Sequence, residues 1–153
     1  MKILVMGLPG SGKTTLSKLL VPMFNAVYLN ADEIRKEADD WDFSVAGRLR
    51  QSARMLDKAK QAEAKNRVVV ADFICPTENT RTLFQADYTV WMDTIKESKF
   101  EDTNNMFKAP EKYDFRIGYY NATQWAFLIK QDILDKKLNV GVHDKMGVQW
   151  KNI

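Results

Sequence analysis

The chain has 153 residues, 45% hydrophobic and 28% charged, a balance that fits one folded domain and excludes disordered, fibrous and repeat classes. Its formal net charge of +3 comes without a long basic block, which disfavours a nucleic-acid partner, and its apolar runs are too short to span a bilayer. Cys75 is the only cysteine and His143 the only histidine, so an internal disulfide and a Cys/His metal cage are both excluded.

The apolar run at residues 2–6 opens directly into glycines, as do strands buried on both faces of a parallel sheet. It stops too soon for the core of an export signal, and with the lone thiol this predicts a reducing, cytoplasmic setting. Similar runs at 26–29, 67–71 and 88–92 alternate with segments of helical character, so the pattern predicts a single α/β domain over 1–153 with a mostly parallel central sheet. One helix is expected at 14–20. A second should bury Val45, Leu49, Ala53 and Leu56, with Arg50, Arg54 and Asp57 on the opposite side. A third, at 121–134, aligns Trp125, Ile129 and Ile133 and begins at Asn121 as N-cap. Residues 139–153 read as a terminal hairpin or a packed coil.

Between the first strand and the first helix stands Gly7-Leu8-Pro9-Gly10-Ser11-Gly12-Lys13-Thr14, a complete G-x-x-x-x-G-K-[ST] phosphate loop. Its backbone N–H groups converge on phosphate oxygens, and the helix that follows turns its positive end to the same anion. ATP and Mg²⁺ are the implied cofactors, with Gly7, Pro9, Gly10, Ser11, Gly12, Lys13, Thr14 and Thr15 around the phosphates. Lys13 would reach the β and γ phosphates and the Thr14 hydroxyl would enter the Mg²⁺ shell. The pattern predicts the three-layer P-loop NTPase fold.

After the second run comes Asn30-Ala31-Asp32-Glu33-Ile34-Arg35, at the sheet edge where α/β folds place ligands. Asp32 there could order Mg²⁺-bound water or accept the proton of an attacking hydroxyl, and Arg35 could hold an anionic acceptor. The same residues also read as a helix start, with Asn30 and Glu33 as a capping pattern. Arg48, Gln51 and Met55 share one helical face beside the expected buried stripe. Asp72, at the end of the valine strand, could ligate Mg²⁺ or cap a helix. Cys75 reads as a small structural residue near the site, since phosphoryl transfer to a hydroxyl needs no covalent intermediate.

In these segments the chain resembles the adenylylsulfate kinase family, whose patterns are L-D-G-D-N-V-R, then G-F-S, then D-R-x-E-N. Here they stand as Leu29 to Arg35, Asp42-Phe43-Ser44, and Gly47-Arg48-Leu49-Arg50-Gln51. Asp72-Phe73-Ile74-Cys75-Pro76 is similar to the family's A-F-I-S-P, with Arg81 at the second arginine of S-P-Y-R-x-x-R, and Ala109-Pro110-Glu111 is a further echo. The resemblance spans about residues 1–117. It implies that Phe43 stacks on the adenine of adenylylsulfate and that Arg35 and Arg48 hold its anionic groups. Asp32, Gln51, Phe73, Ile74 and Cys75 complete the implied acceptor site. The chain departs from the family at Asn30, Gln51, Asp72 and Cys75 and lacks the basic lid, leaving Lys96 and Lys99 as the cations nearest its place in the sequence.

The leading reading is therefore transfer of the ATP γ-phosphoryl to the 3′-hydroxyl of adenylylsulfate. The alternatives are a polynucleotide 5′-hydroxyl kinase, which pairs a similar loop with an N-x-D-D-Y-R segment, and a nucleotide-dependent switch without kinase activity. The partners expected are small nucleotide substrates, with a homodimer left open.

Overall fold

The computed structural model describes the backbone of residues 1–146 and the side chains of residues 1–136. Strands β1 (Lys2–Gly7), β2 (Val27–Asn30), β3 (Val69–Asp72), β4 (Tyr88–Met92) and β5 (Phe115–Ile117) form one parallel sheet in the order β2-β3-β1-β4-β5. The central strand β1 is apolar at successive positions because it feeds two cores. Ile3 and Val5 pack with Leu16 and Leu20 of α1 (Lys13–Met23) and with Ile129 and Ile133 of α6 (Ala122–Met146). Leu4 and Met6 point the other way, against Ile34 of α2 (Ala31–Ala38), Met55 and Ala59 of α3 (Val45–Glu63) and Phe84 of α4 (Glu78–Phe84). The result is the expected three-layer α/β domain. Among the described residues, no helix is long and apolar enough to cross a membrane.

Two expectations are corrected, and two further elements are found. The buried face of α3 is not Val45, Leu49 and Ala53: Val45 is 61% exposed, whereas Arg48, Gln51, Ser52, Met55, Leu56 and Ala59 are buried. The first turns of this helix face a cavity rather than an apolar core, so the inward residues there are polar and the apolar stripe begins only at Met55. The tail is helical to Met146 and forms no hairpin over that span, and residues 147–153 lie outside the described residues. Strand β5 and the short helix α5 (Glu101–Met106) were not expected; three and six residues are too few to show a period.

The loop from α2 to α3 folds back over the start of α3, where Ser44 caps the helix by accepting from Gly47 N at 3.2 Å. A Cβ at Gly47 would lie 2.0 Å from the Asp42 carbonyl oxygen. Gly47→Ala is therefore expected to lower stability by about 1–3 kcal/mol through overpacking, read as a fall in Tm. An unchanged Tm would show that this loop does not pack on the helix as described.

Candidate active site

The carboxyl ends of β1, β2 and β3 lie side by side, with Val5 and Asn30 flanking Asp72 in register. From β1 the phosphate loop curls through left-handed backbone at Gly10 (φ 83°) and Gly12 (φ 99°), positions that suit glycine alone. At Gly7 a Cβ would fall 2.7 Å from the Met92 carbonyl oxygen. Two hydroxyls brace the loop, Thr94 Oγ1 donating to Ser11 O at 2.7 Å and Tyr120 OH to Gly10 O at 2.8 Å. The loop fits a phosphate: α1 begins without a side-chain cap, and Ser11 Oγ is buried without a partner. Lys13 is 8% exposed and donates to Leu8 O at 2.9 Å. Burial lowers its pKa, while the Asp72 and Asp32 charges oppose that shift.

Asp72 is the last residue of β3 and is buried. Its Oδ2 accepts from Thr14 Oγ1 at 2.8 Å, from Tyr28 OH at 2.7 Å and from Asn30 Nδ2 at 3.3 Å. Burial first, and the Asp72 contact second, push the Tyr28 phenol up to about 12, so it remains a donor at neutral pH. Among the described residues, no group of three His, Cys, Asp or Glu side chains forms a metal cage. An all-oxygen pair, the Thr14 hydroxyl with the Asp72 carboxylate behind it, fits Mg²⁺, which usually takes few protein ligands and completes its shell with phosphate and water.

A cavity of about 360 Å³ opens from this point and collects the expected acceptor residues: Asp32, Arg35, Phe43, Arg48, Gln51, Phe73, Ile74 and Cys75 all line it. Asp32 is exposed in the first turn of α2, where Asn30 caps the helix by accepting from Glu33 N at 3.1 Å. Arg35 and Arg48 are 3% and 5% exposed, and among the described residues neither is ion-paired, unlike Arg50 and Arg54, which pair with Asp40. Arg35 donates to the Asp40 and Asp42 carbonyls, and Arg48 to Phe43 O and to Thr103 Oγ1 at 2.7 Å. Both guanidiniums lie against the Phe43 ring, 4.4 and 5.1 Å from its centroid. Burial lowers the pKa of each, and Arg48 adds to that effect on Arg35. Two neighbouring desolvated cations with donors left over form a site for an anion.

Gln51 also lines the cavity, but its amide is taken up in donating to Ala31 O and accepting from Arg54. Phe73 turns its ring edge-on to Phe84 in the core. Arg81 holds the loop after β3 by donating to Cys75 O at 3.0 Å and to Lys108 O. Lys96 and Lys99 do not line the cavity, and Lys96 sits 3.5 Å from Asp93. Their segment contributes Phe100, Asp102 and Thr103 instead, residues that no motif marked.

A second cavity, of about 560 Å³, lies on the other side of the loop against Tyr119, Tyr120, Asn121 and Trp125. Gly10, Lys13 and Thr14 line both cavities, and Thr15 lines the second.

A family model described as an AAA domain matches residues 3–111, well over half of the sequence. The chain belongs to this AAA domain family. No curated protein matches it at a significant level. In structure it is similar to the APS kinase of Mycobacterium tuberculosis solved with AMPPNP and APS (adenylylsulfate), with a TM-score of 0.77 and 19% identity over 87% of this chain and 96% of that one. It is also similar to the shikimate kinase of Acinetobacter baumannii solved with shikimate, with a TM-score of 0.59 and 21% identity over 90% and 94% of the two chains. A gluconokinase from Sinorhizobium meliloti gives a TM-score of 0.66 and 15% identity over 93% and 97%. The fold of this family member is thus that of the small P-loop kinases.

Cys75 has left-handed backbone (φ 48°), and burial pushes its thiol up to about 12. Native protein at pH 8 is expected to react with a thiol reagent at least about 100-fold more slowly than protein in denaturant, because thiolate and access are both lacking. Comparable rates would place the thiol at the surface.

Proposed function

We propose that this protein is an ATP-dependent kinase that phosphorylates the hydroxyl of a small anionic acceptor, and that adenylylsulfate is the acceptor its residues fit best. One observation carries the reading: a single phosphate loop lines two cavities, so a donor nucleotide and an acceptor can meet across Lys13 and Thr14. A switch needs only one nucleotide cavity. The modest formal net charge of +3 and the first cavity's volume of about 360 Å³ also disfavour a polynucleotide acceptor.

In this account the ATP base lies in the larger cavity and its triphosphate crosses the loop. Lys13 exchanges the Leu8 carbonyl for the β and γ phosphates, where its fixed charge stabilises the transferring group. Thr14, with Asp72 behind it, would hold Mg²⁺, which would supply charge neutralisation to the phosphates. Arg35 and Arg48 bind the phosphosulfate, and Phe43, 41% exposed at the rim, offers its ring to the adenine. Asp32 accepts the 3′-hydroxyl proton as the new O–P bond forms and the β–γ bridge bond breaks, giving ADP and 3′-phosphoadenylylsulfate. Binding of AMPPNP and APS by a protein of the same fold supports the pairing of two nucleotides.

Initial rates of ADP release with Mg·ATP test the proposal in three arms: adenylylsulfate, a 5′-hydroxyl oligonucleotide, and no acceptor. Stimulation by adenylylsulfate alone is expected, lost in Lys13→Ala. Arg48→Ala should raise the KM for adenylylsulfate about 10- to 150-fold, the worth of one charge-assisted contact, with ATP affinity nearly unchanged. Stimulation by the oligonucleotide, or a rate with adenylylsulfate no higher than without acceptor, would overturn the assignment.

A further inference from the structure

Tyr28 and Asn30 are two apart on β2 and so share a face, and Asn30 is the register partner of Asp72. Both donate to the same oxygen of that carboxylate, Oδ2, which also takes the Thr14 hydroxyl proton. The Asn30 amide has one available orientation: its Oδ1 accepts from Glu33 N, which leaves Nδ2 to donate to Asp72 and, at 3.1 Å, to Tyr28 OH. Among the described residues, Asp72 Oδ1 has no donor, and it is not one of the sealed polar atoms without a partner, so it is the oxygen left open to the cavity. A hydroxyl that ligates a cation must send its proton elsewhere, and the fixed Oδ2 receives it. Without Tyr28 and Asn30 the carboxylate could rotate, and Thr14 would lose a set direction for its lone pairs.

We propose that Tyr28 and Asn30 are positioning residues that lock the Asp72 carboxylate with Oδ2 on Thr14 and Oδ1 toward the metal ion of the bound nucleotide, and so set the metal affinity of the nucleotide complex. The proposal rests on the kinase reading given above. It parallels the general behaviour of hydrogen-bonding partners behind metal ligands, whose removal costs about 10–100-fold in metal affinity or activity.

The test uses the full chain, Tyr28→Phe and Asn30→Ser, the latter chosen because serine still caps α2. A non-hydrolysable ATP analogue is first bound to protein stripped of metal and dialysed free of chelator, and Mn²⁺ is then titrated and followed by its paramagnetic resonance signal. The expected result is Mn²⁺ binding weakened about 10–100-fold in Tyr28→Phe and in the same direction in Asn30→Ser. Metal-free analogue binding and Tm should stay close to those of the unmodified protein. Unchanged Mn²⁺ affinity in both variants would overturn the proposal and leave the kinase reading intact, as would metal-free binding falling as far as metal binding. Failure of the unmodified chain to bind the analogue would overturn both.

Discussion

The site depends on the parallel pairing that brings Val5, Asp72 and Asn30 level at the ends of three neighbouring strands. Parallel strands all deliver their carboxyl ends to one edge, so the phosphate loop after β1, the carboxylate ending β3 and the start of α2 after β2 meet without any long connection. A slip of one residue in β3 would turn Asp72 to the opposite face of the sheet and put Ala71 or Phe73 behind Thr14. The two apolar cores, one on each face of β1, enforce that register, since the same slip would exchange Val70 with Ala71 between them. Fold stability and site geometry are thus one constraint.

Charge is distributed with the same economy of position. Arg50 and Arg54 pair with Asp40, and Arg50 with Asp42, at the surface of the α2–α3 loop; Arg50 is the largest cause holding the Asp40 carboxyl well below the usual range. Those pairs lie on the same loop that carries Phe43, so exposed ion pairs of small individual worth act together to place one ring. Arg35 and Arg48, by contrast, are buried and, among the described residues, not ion-paired, although the Asp102 charge acts on Arg48 and those of Asp40 and Asp42 on Arg35. Desolvating two adjacent cations is unfavourable, and in the proposed reading an anion bound between them relieves that cost. In place of the basic lid of the family it resembles, the chain presents Phe100, Asp102 and Thr103 to the cavity, and Arg35 and Arg48 line it from α2 and α3.

The phosphate loop and four strands were legible because each follows from local chemistry: glycines where the backbone must turn left-handed, and unbroken apolar runs where both faces are covered. The residues expected to hold an acceptor come from the resemblance, and one cavity gathers them. The inward face of α3 was misread for a physical reason. Periodicity equates buried with apolar, but Arg48 and Gln51 are buried against a cavity and a loop, so the apolar stripe pointed to the wrong side. Tyr28 gave no signal, since an aromatic in a strand reads as packing, and its contact with Asp72 spans 44 residues. Tyr119 and Tyr120 were silent in the same way, although two adjacent tyrosines before a capped helix start, at Asn121, are a surface feature that loop chemistry often uses. The two departures at Asn30 and Asp72 look independent along the sequence, and the register shows them to be neighbours.

Whether two ligands occupy two cavities across one phosphate loop can be read from a crystal structure with Mg·AMPPNP and adenylylsulfate. The analogue's triphosphate is expected on residues 7–14, the phosphosulfate between Arg35 and Arg48, and the 3′-hydroxyl within hydrogen-bond reach of Asp32 and in line with the γ phosphate. Adenylylsulfate bound in the larger cavity in competition with AMPPNP, or the smaller cavity filled by the donor itself, would contradict this arrangement.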